Sequence, residues 1–315
     1  MGSIKRQSLK TSIVNYIGVL IGVIFFNFIF PHLISEEYLG LIGLLQNLTY
    51  VLVSFPALGL AHVLLRYYSN WKDTSITSHF NAFAFLAMAF AFMLFSVIYL
   101  FNKEIIVHYY KAQSSLFIPY YYVVLPLIAI MMFTQYLEIY NMVRMRVAVP
   151  AFLREIVLRI LLILLLFIFI SKLLNEQQFI FGFVLVYGIT FVLLLVHTIR
   201  KQQFSAYHPS AFLKNNPGFS QQISFGFGML LVTIFTNIHN FLDGIILPAY
   251  LGLATLGIYM RPLVLGQMIQ VPYRAISLIS IPIIREAIVQ NDMKKVQSLN
   301  KSISINLFLI GCFLF

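Results

Sequence analysis

TIFTNIHNFLDGIILPAYLGLATLGIYMRPLVLGQMIQVPYRAISLISIPIIR, residues Thr233 to Arg285, holds two long apolar segments joined by the turn Leu247-Pro248-Ala249-Tyr250-Leu251-Gly252. Polar groups are set inside both segments. Thr233, Thr236, Asn237, His239, Asn240 and Asp243 lie in the first, and Arg261, Gln267, Gln270 and Arg274 in the second. An ionisable side chain in hydrocarbon is costly and normally faces a bundle interior or a watery cavity. A helix carrying two arginines at such a depth therefore implies a hollow for them to face.

Composition supports that reading. Of the 315 residues, 60% are hydrophobic and only 10% charged, against roughly a quarter charged in soluble domains. Apolar runs of about 20 residues, enough to cross about 30 Å of hydrocarbon as helix, recur along the whole chain. The fold expected is an all-α integral membrane protein, a polytopic helical bundle. Spans are expected near 11–33, 39–65, 80–101, 116–137, 156–170, 179–198, 219–246 and 254–284, with a ninth starting near Ile303. Pro56 and Gly59 interrupt the second. Trp71 and Lys72, and the Tyr120-Tyr121-Tyr122 cluster, are expected at the membrane interface.

With the amino terminus inside, fifteen Lys and Arg fall on inner connections and only Lys103, Lys111 and Lys172 on outer ones. Arg159, Arg261 and Arg274 complete the 21 basic residues and lie within spans. This bias fixes an inside amino terminus and accounts for the net charge of +11 without nucleic acid. Connections are too short to house a soluble catalytic domain. The single Cys312 offers no disulfide, and there is no metal-ligand cluster, phosphate-cradling loop or nucleophile elbow. No cofactor is expected, and the chain is expected not to be an enzyme.

Leu39-Gly40-Leu41-Ile42 after the first span is echoed by Leu256-Gly257-Ile258-Tyr259 after the seventh, an offset of 217 residues. Six spans separate the copies, so both cross in the same direction, as in a parallel repeat about an axis along the membrane normal. The expected organisation is an N-terminal lobe of six helices over 1–200, a cytoplasmic linker over 201–218, and a partial C-terminal lobe of about three helices over 219–315. The last of these spans runs into the end of the sequence at Phe315.

Asp243, Ile245-Ile246, Tyr250-Leu251-Gly252 and Leu256-Gly257-Ile258-Tyr259 resemble the seventh-to-eighth span hairpin of O-antigen-type polysaccharide flippases. Ser8-Leu9-Lys10 to Glu36-Glu37-Tyr38-Leu39-Gly40-Leu41 resembles their first-to-second hairpin. These flippases belong to the multidrug/oligosaccharidyl-lipid/polysaccharide exporter superfamily, whose members are built from two six-helix lobes. The resemblance implies a truncated two-lobe architecture in a bacterial inner membrane. It also implies alternating-access transport of a lipid-diphosphate-linked oligosaccharide for surface polysaccharide such as lipopolysaccharide. Membrane lipids and other polysaccharide-assembly proteins are the implied partners, and the transport unit is expected to be a monomer. A cation-coupled multidrug exporter of the same superfamily is the alternative, with a membrane polysaccharide polymerase or acyltransferase behind it. The coupling ion, proton or sodium, is left open.

Arginine suits such a cargo because its planar donor fork matches phosphate oxygens at any working pH. Arg261 and Arg274 are the first candidates. Thirteen residues apart, they share a cavity only if Pro262 or Pro272 kinks the helix. Thr233, Thr236, Asn237 and Asn240 form one helical stripe fit for sugar hydroxyls or for interhelical bonds. Asn27 in the first span joins this set. His239 with Asp243, four residues apart, suits either proton transfer or a local bond. Glu138 suits either ion coupling or a salt bridge to Arg154 or Arg159. His62 is expected to be a satisfied bundle histidine.

Overall fold

The computed structural model describes residues 14–71, 76–144, 146–202, 209–214, 218–263, 266, 284 and 292–314. Every regular element among them is a helix. Five helical runs are long and apolar enough to cross a membrane: Glu36–Ala57, Ile76–Phe101, Ser115–Val143, Glu176–Arg200 and Phe219–Leu251. The chain is a multi-pass helical membrane protein.

The first span starts as α1 (Val14–Val23), passes through a π-helical stretch (Ile24–Ile29) and ends as α2 (Phe30–Leu33). Pro31 has no N–H to return to Asn27, and the backbone widens just before it, with the Phe30 N–H reaching Phe25 O. The second span is broken, as Pro56 and Gly59 predict. It consists of α3 (Glu36–Leu52), α4 (Ser54–Ala57) and α5 (Leu60–Trp71), with Leu58 and Gly59 both left-handed at φ 52° and 66°. There the chain nearly touches the seventh span: a Cβ on Gly59 would lie 2.1 Å from Gly226 O.

Next come α6 (Ile76–Phe101), a short helix α7 (Lys103–Lys111), and a 3-10 turn (Ser115–Val123) that leads into α8 (Val124–Val143). The tyrosines of this turn do not form an interface belt. Tyr121 is fully buried, stacks on Tyr99 at 4.4 Å and exchanges hydroxyl-to-carbonyl hydrogen bonds with it. Only Tyr122 faces out, 2.8 Å from Lys103 Nζ. Stacking contributes beyond area burial, so this cluster ties α6 to α8.

The fifth span combines α9 (Ala148–Phe152), a π-turn (Leu153–Val157) and α10 (Leu158–Ile170), and the sixth is α11 (Glu176–Gln202). In the linker, α12 (Pro209–Lys214) inserts Phe212 among Trp71, Phe80, Phe83 and Phe219. Trp71 is therefore buried in this cluster, only 4% exposed, and is not an interface anchor. Lys72 lies outside the described residues. The signal for this docking is the pair Phe212-Leu213, apolar residues in a connection marked by turn formers.

The seventh span, α13 (Phe219–Leu251), has 33 residues, about 50 Å of helix. It packs along the full broken second span. Its outer end is held by Ser114 Oγ, which donates to Pro248 O, and by the Tyr110 hydroxyl, which donates to Ile245 O. These bonds occupy carbonyls near a helix C-terminus, where intrahelical partners run out. The eighth span is described over 253–263, α14, and at positions 266 and 284. A last helix, α15 (Met293–Leu314), covers the start of the ninth.

The two copies of the sequence repeat lie against each other. A Cβ on Gly40 would sit 1.8 Å from Leu253 O, and one on Gly257 would sit 2.3 Å from Glu36 O. Residues 253 and 257 are residues 36 and 40 displaced by 217, so one contact is made twice, once in each direction. Reciprocal contacts of this kind are what a two-fold relation produces. Gly43 closes on Met260, its own equivalent in the second copy. The glycines are needed here because nothing larger fits between the backbones.

Two glycine substitutions separate geometry from propensity. Gly59→Ala meets both a left-handed φ and the Gly226 carbonyl, and is expected to lower stability by about 1–3 kcal/mol. Gly228→Ala in α13 meets nothing within 4 Å, and should be neutral or stabilising by up to about 1 kcal/mol. Thermal unfolding in detergent compares them; equal shifts would contradict the close approach.

Candidate functional site: a charge cluster between spans four and five

The helical run from 148 to 170 carries Arg154, Glu155 and Arg159 near its inner end, and α8 brings Glu138 to meet them. Arg154 Nη1 donates to Glu138 Oε2 at 2.9 Å, and its Nε donates to Glu155 Oε1 at 3.1 Å. Arg159 Nη2 donates to Glu155 Oε2 at 2.8 Å. Glu155 thus spends both oxygens as a brace between two guanidinium groups, while Glu138 meets one of them. Two cations and two anions balance to zero. That is the condition under which charge persists in a low-dielectric surround.

The local sequence explains the arrangement. Glu155 and Arg159 stand four apart, the spacing that puts side chains on one helical face. The π-turn over 153–157 adds a residue to that turn, which spreads Arg154 and Arg159 to either side of Glu155. Span one leaves room for them with small residues. A Cβ on Gly18 would be 2.6 Å from Glu155 Cβ, and one on Gly22 would be 3.0 Å from Arg159 Nη1. That Nη1 is buried without a hydrogen-bond partner among the described residues, as is Asn15 Oδ1. Exposure differs sharply across the cluster: 54% for the Arg154 side chain, 25% for Arg159, 20% for Glu138 and 16% for Glu155.

Tyr50 joins the second span to the seventh. Its ring stacks on Phe241 at 4.8 Å. Its carbonyl accepts a bond from Asn237 Nδ2 at 2.9 Å, and Ser54 Oγ accepts from the same nitrogen at 2.8 Å. Behind Tyr50, Gln46 donates to the Tyr187 hydroxyl at 2.9 Å. Polar contacts therefore tie span two to span six on one side and to span seven on the other.

The residues singled out in the sequence are distributed as follows. Glu138 pairs with Arg154. Asn237 bonds across to span two, whereas Thr233 and Thr236 return their hydroxyls to Met229 O and Val232 O of their own helix. Asn240 and His239 are exposed. Asp243 does not bond His239. Its oxygens accept from the Tyr259 hydroxyl, at 2.5 Å, and from the Gly244 N–H. Arg261 pairs with Glu36, which opens α3, so a cation of the eighth span meets the acidic turn at the outer end. Arg261 Nε and Glu36 Oε2 are buried with no further partner among the described residues. The Asn27 side chain lies outside what is described, and so do Arg274, Gln267, Gln270, Pro272 and Arg285; of the two prolines expected to kink the eighth span, only Pro262, in α14, is among the described residues. His62, expected to be satisfied, has a buried Nδ1 without a partner among the described residues.

The sequence reading missed Glu155. Its signal was present: Arg154-Glu155-Ile156-Val157-Leu158-Arg159 puts three ionisable groups at the mouth of an apolar run. No group of three or more His, Cys, Asp or Glu able to hold a metal occurs among the described residues.

A double-mutant cycle on Glu155→Gln and Arg159→Gln measures the brace. Contacting residues in one charged network couple by about 0.5–3 kcal/mol, and a value of at least about 1 kcal/mol is expected. Strict additivity in chemical denaturation would remove the brace from the account.

A family model described as "Polysaccharide biosynthesis protein" matches residues 4–288. No curated protein and no solved structure matches the chain.

Proposed function

The chain belongs to the polysaccharide biosynthesis protein family, and from that premise we propose that it is a flippase for a lipid-diphosphate-linked oligosaccharide. The match over 4–288 supports a transporter or flippase role in polysaccharide biosynthesis. The finer reading, cargo and mechanism, draws its support from the charge cluster between spans four and five. A diphosphate headgroup leaving water needs donors that replace its hydration, and bidentate guanidinium groups supply them. The polar side chains of Tyr50, Gln46 and Asn237 suit sugar hydroxyls.

Such a protein performs no covalent chemistry; it lowers the cost of moving a charged head through hydrocarbon. The two glycine-bearing repeats that cross at the outer end suit alternating access, with one helical half rocking against the other. The lysine and arginine bias supports an amino terminus in the cytoplasm, and with it a cluster near the inner face of a bacterial inner membrane. Oligosaccharide assembled on the cytoplasmic side would enter there. Arg261 and Arg274 remain part of this reading, as cationic groups on the opposing half.

The test is genetic complementation in the source strain. Loss of the gene should abolish surface polysaccharide and accumulate its lipid-linked precursor. Arg154→Ala and Arg274→Ala, at normal protein level, should each reduce export at least tenfold, the scale of a lost charge-assisted contact of about 1.4 kcal/mol. Full export by both variants would refute the cationic route. Unchanged polysaccharide in the deletion strain would refute the flippase role altogether.

A further inference from the structure

The four charged groups of the cluster are not equivalent, and the difference shows which pair opens. Glu155 is bonded through both oxygens, to Arg154 on one side and Arg159 on the other. Glu138 holds Arg154 through one oxygen only. Arg154 is the most exposed of the four and carries five N–H donors, of which the bonds to Glu138 and Glu155 engage Nε and Nη1. Arg159 is less exposed and packed over Gly22.

We propose that Glu138 is an internal competitor for the cargo's anionic headgroup: it occupies Arg154 in the empty protein, and a diphosphate displaces it by charge exchange. This rests on the flippase reading and deepens it. With no cargo, the cluster is neutral and the cost of an unpaired guanidinium at membrane depth is avoided. When a diphosphate arrives, Arg154 trades one carboxylate for phosphate oxygens, while Glu155 keeps the guanidinium plane fixed through Nε. Glu138 therefore lowers affinity on purpose. It also supplies the group that retakes Arg154 when the cargo leaves. Affinity and release are set by the same carboxylate.

The consequence is a split between binding and transport. Glu138→Gln removes the competitor and should bind cargo more tightly, yet export less because nothing recaptures Arg154. A merely structural salt bridge predicts the opposite for binding, since breaking it would cost stability and affinity together.

The experiment uses the full chain in nanodiscs, with undecaprenyl diphosphate as probe and undecaprenol as its neutral counterpart. Wild type should bind the diphosphate lipid in preference to the alcohol. Glu138→Gln should tighten diphosphate binding at least fivefold, with export in cells reduced. Glu138→Asp, whose shorter carboxylate reaches Arg154 less well, should fall between. Arg154→Gln should weaken binding at least tenfold, and the Glu138→Gln, Arg154→Gln double variant should bind as weakly as Arg154→Gln while melting at the wild-type temperature. If wild type prefers the diphosphate lipid but neither Glu138 variant tightens binding, the exchange is wrong and the flippase reading stands. If wild type shows no preference for the diphosphate lipid, both fall.

Discussion

Charge within a helical membrane bundle must be compensated, and that requirement is met in two places in this protein. Between the fourth and fifth spans, Glu138, Arg154, Glu155 and Arg159 neutralise one another. At the crossing of the two repeats, Arg261 meets Glu36. Replacing such pairs by apolar residues of equal volume is often neutral or stabilising. Their presence therefore points to a task other than stability.

The second constraint is backbone proximity. Without a strong hydrophobic drive between helices in lipid, association relies on close packing and interhelical hydrogen bonds. Gly40 and Gly257 let the repeat copies touch backbone to backbone, Gly43 makes room for the Met260 side chain, and Gly59 brings the second span against the Gly226 backbone. Asn237 adds a polar clamp between these points. The broken second span matters here. Its left-handed step at Leu58 and Gly59 keeps α5 alongside α13 after α3 has turned past it. The second and seventh spans thus form one continuous seam, with Tyr50 stacked on Phe241 along it.

Much of this was legible from periodicity and spacing. Long apolar runs and the distribution of lysine and arginine gave the helical membrane class. The short Leu-Gly echo 217 residues apart marked the two copies, though not that Gly40 and Gly257 would bring them into contact. What the sequence concealed were contacts set by tertiary packing. Trp71 and Tyr121 looked like interface residues because aromatics at span ends usually are, but Phe212 and Tyr99 supply stacking partners from elsewhere in the chain. His239 and Asp243 had helical spacing, yet Tyr259 from the neighbouring segment takes the carboxylate. Glu155 was overlooked since a carboxylate between two arginines reads as part of a basic connection until a π-turn sets it between them.

The proposed flippase role requires that Arg154, the most exposed member of the charge cluster, be reached by water from the cytoplasmic side and not be turned to lipid. A single-cysteine protein tests it, with Cys312→Ala removing the only native thiol and Arg154→Cys adding one at the cluster. A membrane-impermeant maleimide should label it in inside-out vesicles and fail to do so in right-side-out vesicles. Absence of labelling in both orientations, with the protein shown to be folded, would place the residue in lipid and contradict the account.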